Sequence, residues 1–129
     1  FESPGAAFSG GAYMASPRSI AAELKAAGFD LASTANNHAF DYGAEGLTST
    51  LRALDAAGLV HAGAGRNLAW ARAPAYFESR RGRVALVAAA SSITPGSNAS
   101  AQRPDLPGRP GVSPLRFTAS VTLTKSAFE

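Results

Sequence analysis

The stretch from Gly28 to Gly43 limits the possible folds of this chain more than any other. Gly28-Phe29-Asp30-Leu31-Ala32-Ser33-Thr34-Ala35 is largely apolar and strand-like, and it stops abruptly at Asn36-Asn37-His38. Asp41, Tyr42 and Gly43 follow at once. Helical patterns flank the stretch on both sides. A strand between two helices, with a polar cluster at its carboxyl end, is how an α/β sheet presents chemistry in the crevice beyond its strands. An imidazole, two amides and a carboxylate within six consecutive residues exceed what a loop needs for solubility.

The flanking residues support this reading. Residues 1–16 are rich in Gly, Ala and Ser and read as an irregular entry. Ser16-Pro17 is expected to start a helix, with Ser16 as cap and Pro17 in the first turn. Ile20, Leu24 and Ala27 recur at helical spacing, and Gly28 suits the left-handed residue after the last turn. Residues 29–35 then form the strand and residues 36–43 the loop. A second helix is expected over residues 44–57, with Leu47, Leu51 and Leu54 on one face and Gly58 as its stop. Residues 59–62 make a short strand closed by Gly63-Ala64-Gly65.

Asn67 can cap a short helix over residues 68–72, broken by Pro74. Residues 75–78 and 83–90 read as a hairpin joined by an Arg-Arg-Gly turn, the later run as a buried strand. Residues 91–116 turn to Ser, Pro, Gly and Arg and read as a long structureless connection. Residues 117–124 alternate apolar and polar and are expected to form a last strand within the terminal segment 117–129. The 17–90 portion is thus the α/β core, with parallel pairing around the Asn-Asn-His loop.

Composition excludes several classes. The chain has 129 residues, enough for one modest domain. It has no Cys, so there is no disulfide framework, thiolate nucleophile or Cys-ligated metal. Twelve Lys and Arg against nine Asp and Glu are scattered along the chain, which argues against a nucleic-acid footprint. No segment is long and apolar enough to span a membrane. The chain opens on Phe1 and reads as an excerpt of a longer protein from which any signal peptide is missing.

Asn37, His38 and Asp41 are the candidates for chemistry. The Asn37 carbonyl oxygen suits a divalent metal ion. His38 suits donation to the substrate oxyanion, and Asp41 suits the other imidazole nitrogen, fixing its tautomer. The alternative is an Asx-rich turn whose amides cap the second helix, with His38 merely half-buried.

Several blocks occur in order: Gly28-Phe29-Asp30, Ala35-Asn36-Asn37-His38, Asp41-Tyr42-Gly43, Gly46-Leu47, Gly63-Ala64-Gly65-Arg66-Asn67 and Gly108-Arg109-Pro110-Gly111-Val112. In these blocks the chain resembles the bacterial capsule-synthesis CapA family, also called PGA_cap or poly-γ-glutamate synthesis proteins of the PgsA type, relatives of the calcineurin-like metallophosphoesterases. The resemblance runs from about Phe1 to Arg116. It implies a four-layer α/β/β/α sandwich around a dinuclear centre of Mn, Fe, Zn or Mg. Asn37 would be a metal ligand, His38 would lie near the leaving group, and Glu2 would match an acidic metal-site residue. Asn36, Arg66 and Arg109 are the candidate substrate-binding residues. The family's early aspartate would lie before Phe1 and its later histidines after Glu129, so this excerpt holds only part of a site. The implied setting is the bacterial cell envelope, with a phosphoester or anionic polymer as substrate and other capsule-synthesis proteins as partners. A non-catalytic assembly or polymer-binding role on the same fold is the alternative.

The remaining signals have simpler explanations. His61 reads as a core or surface imidazole. Gly63-Ala64-Gly65-Arg66-Asn67 lacks a third glycine, since Leu68 takes its place, and lacks the later acid of a dinucleotide site. It reads as a tight turn with glycines at positive φ, beside which Arg66 can meet an anion. Arg80, Arg81 and Arg83 read as a solvated hairpin turn. Arg103, Arg109 and Arg116 would face an anionic ligand only if the Pro-Gly segment folds over the Asn-Asn-His crevice. Otherwise they lie on a mobile surface loop.

Overall fold

The computed structural model describes residue 7, residues 11–120 and residue 122. Helix and strand alternate as α1 (Ser19–Ala26), β1 (Leu31–Ser33), α2 (Gly43–Ala56), β2 (Val60–Ala62), β3 (Ala64–Gly65), α3 (Leu68–Arg72), β4 (Ala75–Ser79), β5 (Gly82–Leu86) and β6 (Gly111–Val112). β1 and β2 pair in parallel, Leu31 opposite Val60 and Ser33 opposite Ala62. Two parallel neighbours need a crossover, and α2 provides it. β3 pairs antiparallel with β6, and β4 with β5. The expected α/β character with parallel pairing beside the Asn-Asn-His loop is present.

α2 holds this unit together through two apolar contacts. Leu54 joins Ala21 of α1 and Leu59 beneath the sheet, with Ala32 of β1 packed against them. Leu47 joins Phe40 of the loop and Ala64 of β3. Leu47 and Leu54 are seven residues apart, two helical turns, so both stand on one face of α2. Leu47 is 1% exposed.

Several boundaries differ from expectation. α1 begins at Ser19 with Arg18 as N-cap, and no side chain caps it. The first turn is closed instead by Ile20 N–H donating to the Pro17 carbonyl at 3.1 Å, so Ser16 stays exposed and plays no capping part. The strand expected over 29–35 is shorter because the end of α1 takes Phe29. Phe29 N–H donates to the Leu24 carbonyl at 3.1 Å, and its ring is 55% exposed. At the other end Thr34 prolongs the contact without strand geometry. Its N–H and its hydroxyl both donate to the Ala62 carbonyl, at 2.9 and 2.8 Å.

The β4–β5 hairpin forms, with the turn at residues 80–81. There Ser79 Oγ accepts from Arg81 N–H at 3.1 Å and donates to the Gly82 carbonyl at 3.0 Å. Arg80, Arg81 and Arg83 are exposed, Arg83 paired with Glu78. β5 is not the buried strand expected: Val84 is exposed, and Val87 lies beyond the strand's end and is exposed too.

Residues 91–116 are not structureless. β6 lies within them, Ala90 bridges Pro114, and Asn98 bridges Val112. Val112 is fully buried, and Ser97 and Ala99 are buried beside it. Backbone hydrogen bonds do the work that apolar periodicity does elsewhere: Ala99 and Val112 share one, and Ser113 N–H donates to the Gly63 carbonyl at 2.7 Å. Residues 117–120 carry no strand pairing, and most of the remainder of the expected last strand lies outside the described residues.

The two glycines of the Gly63-Ala64-Gly65 turn serve different needs. Gly63 has φ +106°, and a Cβ there would stand 2.6 Å from Ala35 Cβ and 2.8 Å from Ala35 N. Gly65 has ordinary φ, contrary to expectation. Its missing side chain makes room for α3, whose Ala71 N would lie 2.6 Å from a Cβ. Gly63→Ala therefore meets both backbone strain and a backbone clash. We expect it to destabilise the fold by about 2 kcal/mol or more. Thermal denaturation followed by circular dichroism checks this, and an unchanged midpoint would contradict the packing described.

Candidate active site at the end of β1

The loop after Ser33 is held at three points. Asn36 Oδ1 accepts from His38 N–H at 2.9 Å, an Asx turn that folds the chain back on itself. Phe40 is 4% exposed and anchors the loop to Leu47 and Ala64. Gly43 N–H donates to the Phe40 carbonyl at 2.9 Å and leads into α2. The N-cap of α2 is Tyr42, with no side-chain cap, so neither Asn36 nor Asn37 caps that helix. This removes half of the alternative reading: the amides are not consumed by α2, although Asn36 does form a local turn.

His38 and Asp41 meet as the sequence spacing suggested. Nδ1 of His38 lies 2.9 Å from Asp41 Oδ2. Asp41 is largely buried, its side chain 9% exposed, while that of His38 is 30% exposed. The same Oδ2 accepts from Met14 N–H at 2.8 Å. A carboxylate has no proton to give, so Nδ1 carries the hydrogen and Nε2 is left for other partners. Nε2 makes no hydrogen bond to the described residues.

Around this pair is an open cleft of about 410 Å³, lined by Met14, Ile20, Asn37, His38 and Tyr42 among others. Tyr13 and Tyr42 pack ring to ring beside it, their centroids 6.1 Å apart. Met14 thus belongs to the cleft wall, with Tyr13 beside it, while both lie in the irregular entry that the sequence suggested. Sequence reasoning missed Met14 because its contribution is a backbone N–H, which has no residue signature. It also missed Phe40 as the anchor, although an aromatic between His38 and Asp41 was a usable hint.

The other candidates fall elsewhere. Arg66 and Arg109 do not line the cleft. Arg66 stacks on Trp70, its Cζ 4.2 Å from the ring centroid. Arg109 donates from its guanidinium to the Asn98 carbonyl at 3.1 Å, and its N–H donates to Ser100 Oγ at 2.7 Å. The Pro-Gly segment therefore folds against β3 and Asn67, and none of its residues lines the cleft. His61 sits on β2, with Nε2 3.0 Å from Asp55 Oδ1. Glu2 lies outside the described residues.

A divalent ion finds little here by itself. Asn37 is exposed in the cleft wall, and its amide makes no hydrogen bond to the described residues, so one oxygen donor is open. Among the described residues no group of three His, Cys, Asp or Glu is placed to hold a metal. Among the described residues Asn37 is therefore an open oxygen donor with no set of metal-ligating side chains around it.

The family model described as "Bacterial capsule synthesis protein PGA_cap" matches residues 1–122. The chain belongs to this family. Two uncharacterized proteins of Sinorhizobium fredii, y4sH and y4uA, are each 45% identical over 120 residues, covering 93% of this chain and 26% of theirs. A Mycobacterium tuberculosis protein named "Probable polyglutamine synthesis accessory protein" is 47% identical over 77 residues, covering 57% of this chain and 20% of its own. The Bacillus anthracis "Capsule biosynthesis protein CapA" is 35% identical over 81 residues, covering 63% and 20% respectively. The chain spans about a quarter or less of the length of these PGA_cap relatives. No helix among its described residues is long and apolar enough to cross a membrane.

The imidazole geometry is directly measurable. Wild-type protein should show the Nδ1–H tautomer of His38 in long-range proton–nitrogen correlation spectra at a pH where the ring is neutral. Asp41→Ala should shift His38 toward the Nε2–H form that predominates in free histidine. An unchanged tautomer in the variant would mean that Asp41 does not orient the ring.

Proposed function

We propose that this chain is the Asn-His portion of a metal-dependent phosphoesterase that serves capsule or poly-glutamate synthesis at the bacterial envelope. The reading includes the four-layer α/β/β/α sandwich, completed by the rest of the parent protein. Its support is one observation above the others. An imidazole oriented by a largely buried carboxylate stands beside an open amide at the carboxyl end of a parallel strand. Membership of the PGA_cap family supports the capsule context. The names of the Mycobacterium and Bacillus relatives point the same way.

Each side chain then has a defined task. Asp41 holds Nδ1–H and, through Met14 N–H, ties the ring to the wall of the cleft. His38 exchanges a proton with the ester at Nε2, the nitrogen that the pairing leaves open. Asn36 shapes the loop through its bond to His38 N–H and, as a residue of the cleft lining, is the candidate contact to substrate. Asn37 would give its amide oxygen to a divalent ion of the Mn, Fe, Zn or Mg type, with Glu2 as a further candidate ligand. Such an ion, when bound, polarises the phosphoryl group and activates water. The substrate class is a phosphoester or an anionic polymer, and other capsule-synthesis proteins are the natural partners.

The full-length protein tests this. It should release phosphate from a generic aryl phosphate when manganese is added. His38→Ala should lower kcat by about 10²–10⁴-fold. Absence of metal-dependent turnover in the full-length wild type would replace the enzyme with an assembly or polymer-binding role.

A further inference from the structure

A second groove, of about 600 Å³, lies between α2, β2 and α3. It shares no lining residue with the His38 cleft. Asp55, His61, Arg66, Trp70 and Pro74 are among the residues that line it. Its volume is in the range of small-molecule sites.

We propose that this groove binds a small organic monocarboxylate with a short apolar body. The argument begins with Arg66. Its guanidinium lies over the Trp70 ring with Cζ 4.2 Å from the centroid. A cation–π contact engages the positive charge and makes no hydrogen bond, so it does not use up the N–H groups of the guanidinium fork. Among the described residues Arg66 has no carboxylate partner and no hydrogen bond. An oriented fork without an acceptor matches the geometry of a carboxylate, which takes two parallel N–H bonds.

Trp70 is the second observation. It is 55% exposed, yet its backbone is held firmly. Its N–H donates to Asn67 Oδ1 at 3.1 Å, which starts α3. Trp70 Cβ would be 2.7 Å from any Cβ placed at Gly65, so the glycine lets the helix seat this close. An exposed indole on a well-anchored backbone, beside a guanidinium with no hydrogen bond among the described residues, offers an apolar surface next to an anion receptor. Leu51 and Leu59 extend that apolar surface.

The charges select the ligand. Arg66 is the one Arg or Lys lining the groove, and Asp55 supplies a carboxylate to the same lining. Asp55 Oδ1 lies 3.0 Å from His61 Nε2, while His61 Nδ1 is buried without a partner. An unpartnered buried Nδ1 is less costly as a lone pair than as a donor, so the ring proton sits on Nε2 and is given to Asp55. A lining with one guanidinium and one carboxylate holds too little positive charge for a phosphate dianion or a dense polyanion, and a single negative charge suits it better.

Trp70 is the only tryptophan in the chain, so its fluorescence reports on this groove. The probes are N-acetyl-leucine, its uncharged amide, and inorganic phosphate. N-acetyl-leucine should change the emission saturably, and the amide and phosphate should not. Arg66→Gln should weaken the carboxylate by on the order of tenfold, with Arg66→Lys in between. Calorimetry confirms the affinities, because Arg66 itself affects the indole. His38→Ala should titrate like wild type, so failure of the phosphoesterase reading leaves this result standing. No saturable response, an equal response to the amide or to phosphate, or undiminished binding by Arg66→Gln would each overturn the proposal.

Discussion

The contact between Gly63 and Ala35 governs this structure. Parallel pairing of β1 and β2 brings the ends of both strands side by side, and at Gly63 the two chains approach too closely for any side chain. The Asn-Asn-His loop leaves from one of these ends and the Gly63-Ala64-Gly65 turn from the other. The Gly63 carbonyl then accepts Ser113 N–H, which draws residues 111–114 into the interior. Close approach, not a large apolar core, thus joins the loop, the turn and the distant Pro-Gly segment. The buried apolar clusters are small, and Phe40, Leu47, Leu54 and Leu59 are their largest members.

Asp41 plays the corresponding part at the candidate site. Its Oδ2 receives a backbone N–H from the entry segment and a ring nitrogen from His38. A single largely buried oxygen therefore sets both the cleft wall and the direction of the imidazole. Burial makes this arrangement demanding, since a carboxylate removed from water must have its hydrogen bonds supplied. The groove around Arg66 and Trp70 shows the reverse situation: a guanidinium that lies over an indole and makes no hydrogen bond to the described residues.

Much of the fold could be read from local pattern. Leu47 and Leu54 marked the buried face of α2, Asn67 marked the start of α3, and the Arg-Arg-Gly turn marked the hairpin. The His38–Asp41 pairing was legible because two residues three positions apart in one loop can meet without help from the rest of the chain. Errors arose where a distant partner decided the outcome. Residues 91–116 have no apolar period, yet backbone hydrogen bonds to residues far away in the chain order them. Val84 and Val87 looked like a buried strand because β-branched residues suit one, but among the described residues nothing covers them. Arg66 and Arg109, both candidates for meeting an anion, have different neighbours in the fold, Trp70 and the Asn98 carbonyl, and neither lines the His38 cleft.

The sequence by itself determined the helices, the turns, the parallel α/β unit and the identity of the residues at its carboxyl end. These depend on spacing, capping and glycine placement, all of which act over a few residues. The tertiary structure alone decided that Met14 N–H completes the cleft, that Arg66 stacks on Trp70 and that residues 111–114 are buried. Those outcomes rest on backbone groups and close approaches between segments distant in sequence, and such contacts leave no periodic trace in the order of the side chains.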